Sequence, residues 1–135
     1  MSSHQYDLGQ WVQDLAFWPA EVEVAGMHPR QLLVQRCGEL LAHLVRWERQ
    51  EGNRCPLWHR LIELQRRRLA HMLRINPQMQ DMLAAAECLQ EAWLDALLKI
   101  IGEANCFDMP DICPWSVEQL LNATFYPGGD DNYLV

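Results

Sequence analysis

The clearest order in this chain is the recurrence of apolar residues every three or four positions, the spacing of one face of an α-helix. Leu8, Trp11, Val12 and Leu15 predict a short first helix over about Leu8–Phe17, which Pro19 stops because proline cannot continue the hydrogen-bond ladder. A stretch rich in Glu and Val follows as far as Gly26. Pro29 suits the first turn of a second helix, where its missing N–H is no loss. Leu33, Cys37, Leu40, Leu44 and Trp47 share one face of that helix, and Gly52 lies just past its end. Pro56 opens a third helix with the stripe Trp58, Leu61, Ile62, Leu69, Met72 and Leu73. Asn76-Pro77 closes it and starts a fourth, since Asn can cap and Pro tolerates a first turn. The fourth is expected to be the longest, with Met79, Met82, Leu83, Ala86, Trp93, Leu97, Ile100 and Ile101 along one side and an end between Gly102 and Cys106. A short last helix begins at Ser116: Ser116 and Gln119 have capping-box spacing, and Trp115 and Leu120 that of a hydrophobic staple.

No segment alternates like a strand, and nothing repeats at a fixed period. The pattern predicts an all-α fold: a single helical bundle of about five helices, three long antiparallel helices plus short terminal helices packed across them. One helical domain is expected over 1–127, followed by a flexible C-terminal tail over 128–135 that begins Gly128-Gly129-Asp130. With 135 residues, half of them hydrophobic, the chain has the material for one sizeable core.

No apolar run approaches the ~18 residues that would cross a bilayer. The opening residues have no cationic segment leading into an apolar stretch, so no secretion signal is expected. The five cysteines are odd in number and contain no Cys-x-x-Cys pair. Reduced thiols in a cytoplasmic protein are the expectation, with no membrane association.

The net charge of −7 conceals an asymmetry. All ten arginines lie between Arg30 and Arg74, where only four acids dilute them. The rest of the chain holds Lys99 against fourteen acids. Acidic flanks folded beside a basic middle would cancel this field locally; an exposed basic face would meet an acidic partner.

Motifs for catalysis are missing. No paired Glu-x-x-His serves a di-iron bundle, and Cys55 and His59 have Pro56 between them and no second pair, so no metal or cofactor is expected. There is no Gly-x-Ser-x-Gly elbow and no glycine-rich phosphate loop. An arginine followed five to seven residues later by histidine, as in helical ribonuclease toxins, occurs three times: Arg66 and His71, Arg54 and His59, Arg36 and His43. Three matches among clustered arginines discriminate little. Were Arg66 and His71 to share a cleft, His71 could move protons and Arg66 stabilise a phosphorane.

Arg60, Arg67 and Arg74 recur every seven residues along the third helix, away from its apolar stripe, and Arg66 and Arg68 broaden this basic face. It lacks interleaved aromatics and any nucleic-acid recognition motif. Glu87, Glu91 and Asp95 form an acidic row on the fourth helix that could lie opposite. Trp11, Trp47, Trp58 and Trp93 fall within apolar stripes and are expected in the core. Gln65 interrupts the third helix's stripe, Arg36 and His43 lie along one edge of the second's, and Arg66 lies at the edge of the third's. Buried polar groups need partners. These four are expected to form a structural hydrogen-bond network, with Glu21 or Glu23 neutralising an arginine, or else a site for an anionic ligand.

Several motifs resemble a known family. Pro110-Asp111-Ile112-Cys113-Pro114-Trp115-Ser116-Val117-Glu118-Gln119-Leu120-Leu121 and then Phe125-Tyr126-Pro127 are the strongest, with Leu41-Ala42-His43-Leu44-Val45-Arg46-Trp47 next. Trp58, Ile62, Gln65, Arg66, Asn76-Pro77, Glu21-Val22-Glu23, Gly26, Tyr6, Asp7 and Trp11 also fit. Together they resemble the bacterial domain of unknown function family twenty-nine, from about Tyr6 to Pro127. The chain departs from it near Trp18-Pro19, where family members carry a longer stretch. The resemblance implies an all-helical fold and no activity, and Arg36, His43, Gln65 and Arg66 are family-like positions.

The function expected from this sequence is that of a non-catalytic bacterial protein-interaction module, binding a protein partner or itself. The alternative is an RNA-directed protein, a binder or a ribonuclease-like toxin-system component. An exposed apolar helix face would favour the first, and a continuous positive groove containing His71 the second.

Overall fold

The computed structural model describes residues 28–130. Among these residues the chain is all-α, with α1 (Pro29–Arg49), α2 (Pro56–Ile75), α3 (Pro77–Ala84), α4 (Ala86–Ile100) and α5 (Val117–Leu121). A 3-10 turn at Glu51–Asn53 lies between α1 and α2. The expected helix over Leu8–Phe17 with its Trp11, and the acidic stretch through Glu21 and Glu23, lie outside the described residues.

The helix starts follow the local chemistry. α1, α2 and α3 each carry proline in the first turn, where no N–H is missed. His28 caps α1 by accepting a hydrogen bond from the Arg30 N–H at 3.1 Å. The capping box of α5 is complete: the Gln119 N–H donates to Ser116 Oγ at 3.1 Å, and the Ser116 N–H donates to Gln119 Oε1 at 2.9 Å. Asn76 does not cap α3 as its position suggests. Its side-chain amide donates backward to the Met72 carbonyl at 3.1 Å and closes the end of α2 instead.

α1 is the central helix, packed chiefly on α4 and then on α2. Leu33, Cys37, Leu40, Leu44 and Trp47 are fully buried, as their spacing predicts. The α1–α4 contact is close because small residues meet there. A Cβ on Gly38 would meet the Asp95 carboxylate and lie 3.2 Å from the Ala92 carbonyl oxygen. Cys88, Ala92 and Ala96, four apart, form the buried face of α4.

The expected long fourth helix is two helices. The chain breaks at Ala85, which is extended at φ −79° and ψ 131°, in a run of three alanines that contains no helix breaker. Tertiary packing overrides propensity here. On an unbroken helix the face of Met79 and Leu83 would continue through Ala86, Gln90, Trp93 and Leu97 and leave Cys88 and Ala92 pointing away from it. The break turns α4 so that Cys88, Ala92, Trp93, Ala96 and Ile100 face inward. The same rotation carries Leu94, Leu98 and Ile101 outward, so Ile101, assigned by periodicity to the buried stripe, is 75% exposed.

Beyond α4 the chain returns along the body. Trp93 Nε1 donates to the Pro110 carbonyl at 2.9 Å, and Gln90 holds both the Asp111 carbonyl and the Cys113 N–H. Trp115 packs edge-on against Trp93 and Phe125. No helix among the described residues is long and apolar enough to cross a membrane.

Candidate functional site

Four places carry enough chemistry to be weighed as sites: the buried arginines, the α1–α2 polar edge, the arginine row of α2 and the outward face of α4.

Arg66 is 4% exposed and turns to the C-terminal segment. It donates to the carbonyls of Leu120 (2.8 Å) and Phe125 (2.6 Å), with a longer contact to Gln119 at 3.4 Å. Its guanidinium stacks 5.2 Å over the Tyr126 ring. Gln119 and Leu120 belong to the last turn of α5, where the Asn122 N–H donates to the Gln119 carbonyl at 3.2 Å and the Leu120 carbonyl takes its donor from Arg66. Arg66 is therefore a C-cap supplied from a distant helix, and carbonyl oxygens take the place of the carboxylate or anion expected for it. Burial lowers its pKa, and Tyr126 and Asp130 offset this.

A second arginine, marked in the sequence only by its spacing to His59, does similar work. Arg54 donates from Nε to the Trp47 carbonyl at 2.7 Å and stacks 5.1 Å over the Trp47 ring. Trp47 Nε1 donates to the Gly129 carbonyl at 2.6 Å. His59 stacks on Tyr126 with centroids 4.6 Å apart, and its Nε2 lies 2.9 Å from Asp130 Oδ1, a hydrogen bond when that nitrogen carries the proton. Gly129 and Asp130, at the start of the expected tail, are thus tied to the body. Arg54 and His59 do come into one cluster, where, among the described residues, Arg54 donates to the Trp47 and Pro127 carbonyls and lies 3.9 Å from Glu51, and His59 meets Asp130.

Among the described residues, the hydrogen bonds of Arg36, His43 and Arg66 run to separate partners and do not join these residues and Gln65 into one network. Arg36 pairs with Glu39 on its own helix at 2.9 Å, and His43 Nδ1 lies 2.9 Å from the Glu39 carbonyl. Gln65 is half-buried, and its Oε1 has no hydrogen-bond partner among the described residues. Arg36 instead has Arg68 nearby. The pKa of each is lowered to about 10, chiefly by burial, and for Arg68 the Arg36 charge contributes to that shift. Arg66 and Arg68 are both buried, which corrects their placement on an open basic face. An acid from Glu21 or Glu23 at this pair lies outside the described residues.

Two measurable consequences follow. Gln65→Leu should leave the fold intact and raise stability by up to about 1 kcal/mol, because it removes a buried acceptor without a donor; denaturant titration reads this, and a marked loss would show that Gln65 has a partner that matters. Burial holds His43 below its ordinary value of 6.5. The unfolded chain therefore takes up a proton first as pH falls through about 6.5, and stability drops from there downward. Glu103, held low chiefly by its hydrogen bond from Arg46, contributes stability above about 4.5 that disappears as pH falls through its depressed value. Melting temperature should thus fall from pH 7 to pH 4, and His43→Gln should flatten the upper part of that fall. An unchanged slope in the variant would contradict the assignment.

The arginine row of α2 is partly neutralised. Glu63 lies 2.8 Å from Arg60 and 3.7 Å from Arg67. The acidic row of α4 does not face it: Glu91 pairs with Arg30 at 2.5 Å and Asp95 with Lys99 at 3.1 Å. His71 is exposed while Arg66 is buried on the far side, so this Arg–His pair shares no cleft. Arg74 lines an open cleft of about 580 Å³ together with Gln80, Glu118 and apolar side chains that include Leu73, Leu83 and Leu121.

The cysteines are free. Burial pushes the thiols of Cys37, Cys88, Cys106 and Cys113 up, which suppresses the nucleophilic thiolate. Among the described residues no group of three or more His, Cys, Asp or Glu could hold a metal ion.

The outward face of α4 remains. Leu94, Leu98 and Ile101 are 50%, 73% and 75% exposed. Their spacing of four and then three continues a row begun by the exposed Glu87 and Glu91. Phe107 and Ile112, also strongly exposed, follow in the segment that Gln90 and Trp93 hold alongside the helix. Five of the seven exposed large hydrophobics of the described residues thus fall between positions 94 and 112. The row escaped sequence analysis because an unbroken helix would have shared its direction with the core; the turn at Ala85 is what brings it out.

No curated protein and no solved structure matches the chain. A family model matches residues 7–126, nearly the whole length, and the chain belongs to that family, described as Domain of unknown function DUF29.

Proposed function

We propose that the protein is a non-catalytic protein-interaction module whose contact surface is the outward face of α4. The observation that carries this is the row Leu94, Leu98 and Ile101, exposed on one helix face at heptad spacing. Isolated exposed aliphatics are ordinary, but a contiguous apolar row with an acidic extension marks a place where another surface is covered. The polar clusters support the same reading by what they do: Arg54 and Arg66 each direct Nε and Nη2 to the chain's own carbonyls.

The RNA-directed alternative has less support. Its arginine row holds Glu63 between Arg60 and Arg67, and the Arg66–His71 pair is split between interior and solvent.

The test is paired capture from the source cells. Tagged parent and a Leu94→Glu/Leu98→Glu variant, matched in circular dichroism and melting temperature, are recovered with their bound proteins and compared by mass spectrometry. Proteins bound by the parent and lost from the variant are the expected result. Identical sets of bound proteins would remove the α4 face from consideration.

A further inference from the structure

We infer that the face of α1 and α2 carrying Arg36, Leu64 and Arg68 is covered by the chain's own N-terminal segment, with Glu21 and Glu23 set against the two arginines.

Leu64 and Arg68 lie one turn apart on α2 and are each 6% exposed. Leu64 nevertheless stands outside the cluster of apolar side chains that makes the core of the described residues. A buried leucine outside the core, beside a buried arginine, marks a face with a cover of its own. That cover has to bring negative charge. Arg36 and Arg68 lie near enough for the charge of one to act on the other. A guanidinium keeps its charge when buried, so the two call for two carboxylates, and Glu39, paired with Arg36, is one. Residues 1–27 hold Asp7, Asp14, Glu21 and Glu23 and neither lysine nor arginine. Their reach and their order both fit. Arg36 lies about 12 Å along α1 from His28, and the extended stretch from Glu23 to His28 spans about 16 Å. α1 and α2 run antiparallel, since Arg36 acts on Arg68 while Trp47 packs edge-on against His59. A segment running back from His28 along α1 therefore passes Arg36 and Arg68 first, and Leu64 and Leu61 next. Its sequence, taken in that direction, presents Glu23 and Glu21 first and then Leu15, Val12 and Trp11. The family match begins at residue 7 and takes in this whole stretch. A free anion would meet the charge and leave Leu64 bare; one segment of chain meets both.

A double-variant cycle in the full chain tests the contact. Glu21→Gln/Glu23→Gln is expected to lower the folding equilibrium constant of the parent about tenfold more than it lowers that of the Arg68→Met chain, because Arg68→Met has already removed a partner of the carboxylates. Denaturant titration of the four chains reads this, and equal effects in the two backgrounds would overturn the inference. A second measurement does not depend on how stable those variants are. Arg68→Lys keeps the charge and offers an amine that a water-soluble carbodiimide can join to a carboxylate in direct contact. The expected product is an amide from position 68 to Glu21 or Glu23 within a monomeric chain, located by peptide mass spectrometry. Absence of that amide would overturn the inference, and a melting temperature raised by inorganic phosphate would then assign the arginines to a free anion. The same amide formed only between two chains would overturn it in favour of a second copy.

Discussion

Arg66→Ala is expected to destabilise the protein by about 3 kcal/mol, a drop on the order of 10 °C in melting temperature. The guanidinium donates to the carbonyls of Leu120 and Phe125 at 2.8 and 2.6 Å and covers Tyr126. Truncation leaves those carbonyls without donors in a site closed to water and opens space beneath the ring. Hydrogen bonds to a charged group each contribute about 1.5–3 kcal/mol, and part of this is recovered because the buried cation itself no longer has to be desolvated. Arg66→Lys should recover little, since one ammonium cannot span two carbonyls and stack on a ring at once. Hydrogen exchange in residues 119–126 should quicken in both variants. A melt within one degree of the parent's would show that Arg66 is held for a ligand and that the C-terminal segment does not depend on it.

Gly38→Val should cost a comparable amount, about 3 kcal/mol. No rotamer offers the new methyl groups a place between α1 and α4, where even a Cβ meets the Asp95 carboxylate and comes within 3.2 Å of the Ala92 carbonyl oxygen. The helices must separate, and the fully buried Ala92, Trp93 and Ala96 lose contact with α1. Gly38→Ala should cost much less, because the gain in helix propensity of about 1 kcal/mol offsets a smaller clash. Denaturant unfolding of the two variants beside the parent gives both values. A valine variant as stable as the parent would mean that the close crossing of α1 and α4 is wrong.

The helices from Pro29 to Ile75 were legible because their caps, prolines and apolar periods agree with one another. The capping box at Ser116 was legible for the same reason: it is a local signal satisfied by local atoms. The break at Ala85 was not, because nothing in Ala84-Ala85-Ala86 disfavours a helix, and the cause lies in the packing of Cys88, Ala92 and Ala96 that the turn makes possible. That hidden turn also concealed the α4 surface, since Leu94, Leu98 and Ile101 keep phase with Leu83 on paper. Gln65 and the arginines could be recognised as unusual but not given partners: Arg66 is satisfied by carbonyls more than fifty positions away. Carbonyls have no signature in a sequence, so a reading by residue type looks for a carboxylate. Arg54 was noted only for its spacing to His59; its burial was not legible because it lies between helices, where no periodicity marks a residue as buried.

On the reading proposed, the outward face of α4, and not the arginine row of α2, meets the partner. The most direct measurement is photo-crosslinking in the source cells, with a benzophenone amino acid in place of Leu98 in one strain and of Arg67 in another. A protein adduct from position 98, insensitive to ribonuclease, with none from position 67, is the result the account predicts. A ribonuclease-sensitive adduct from position 67 with nothing at position 98 would contradict it.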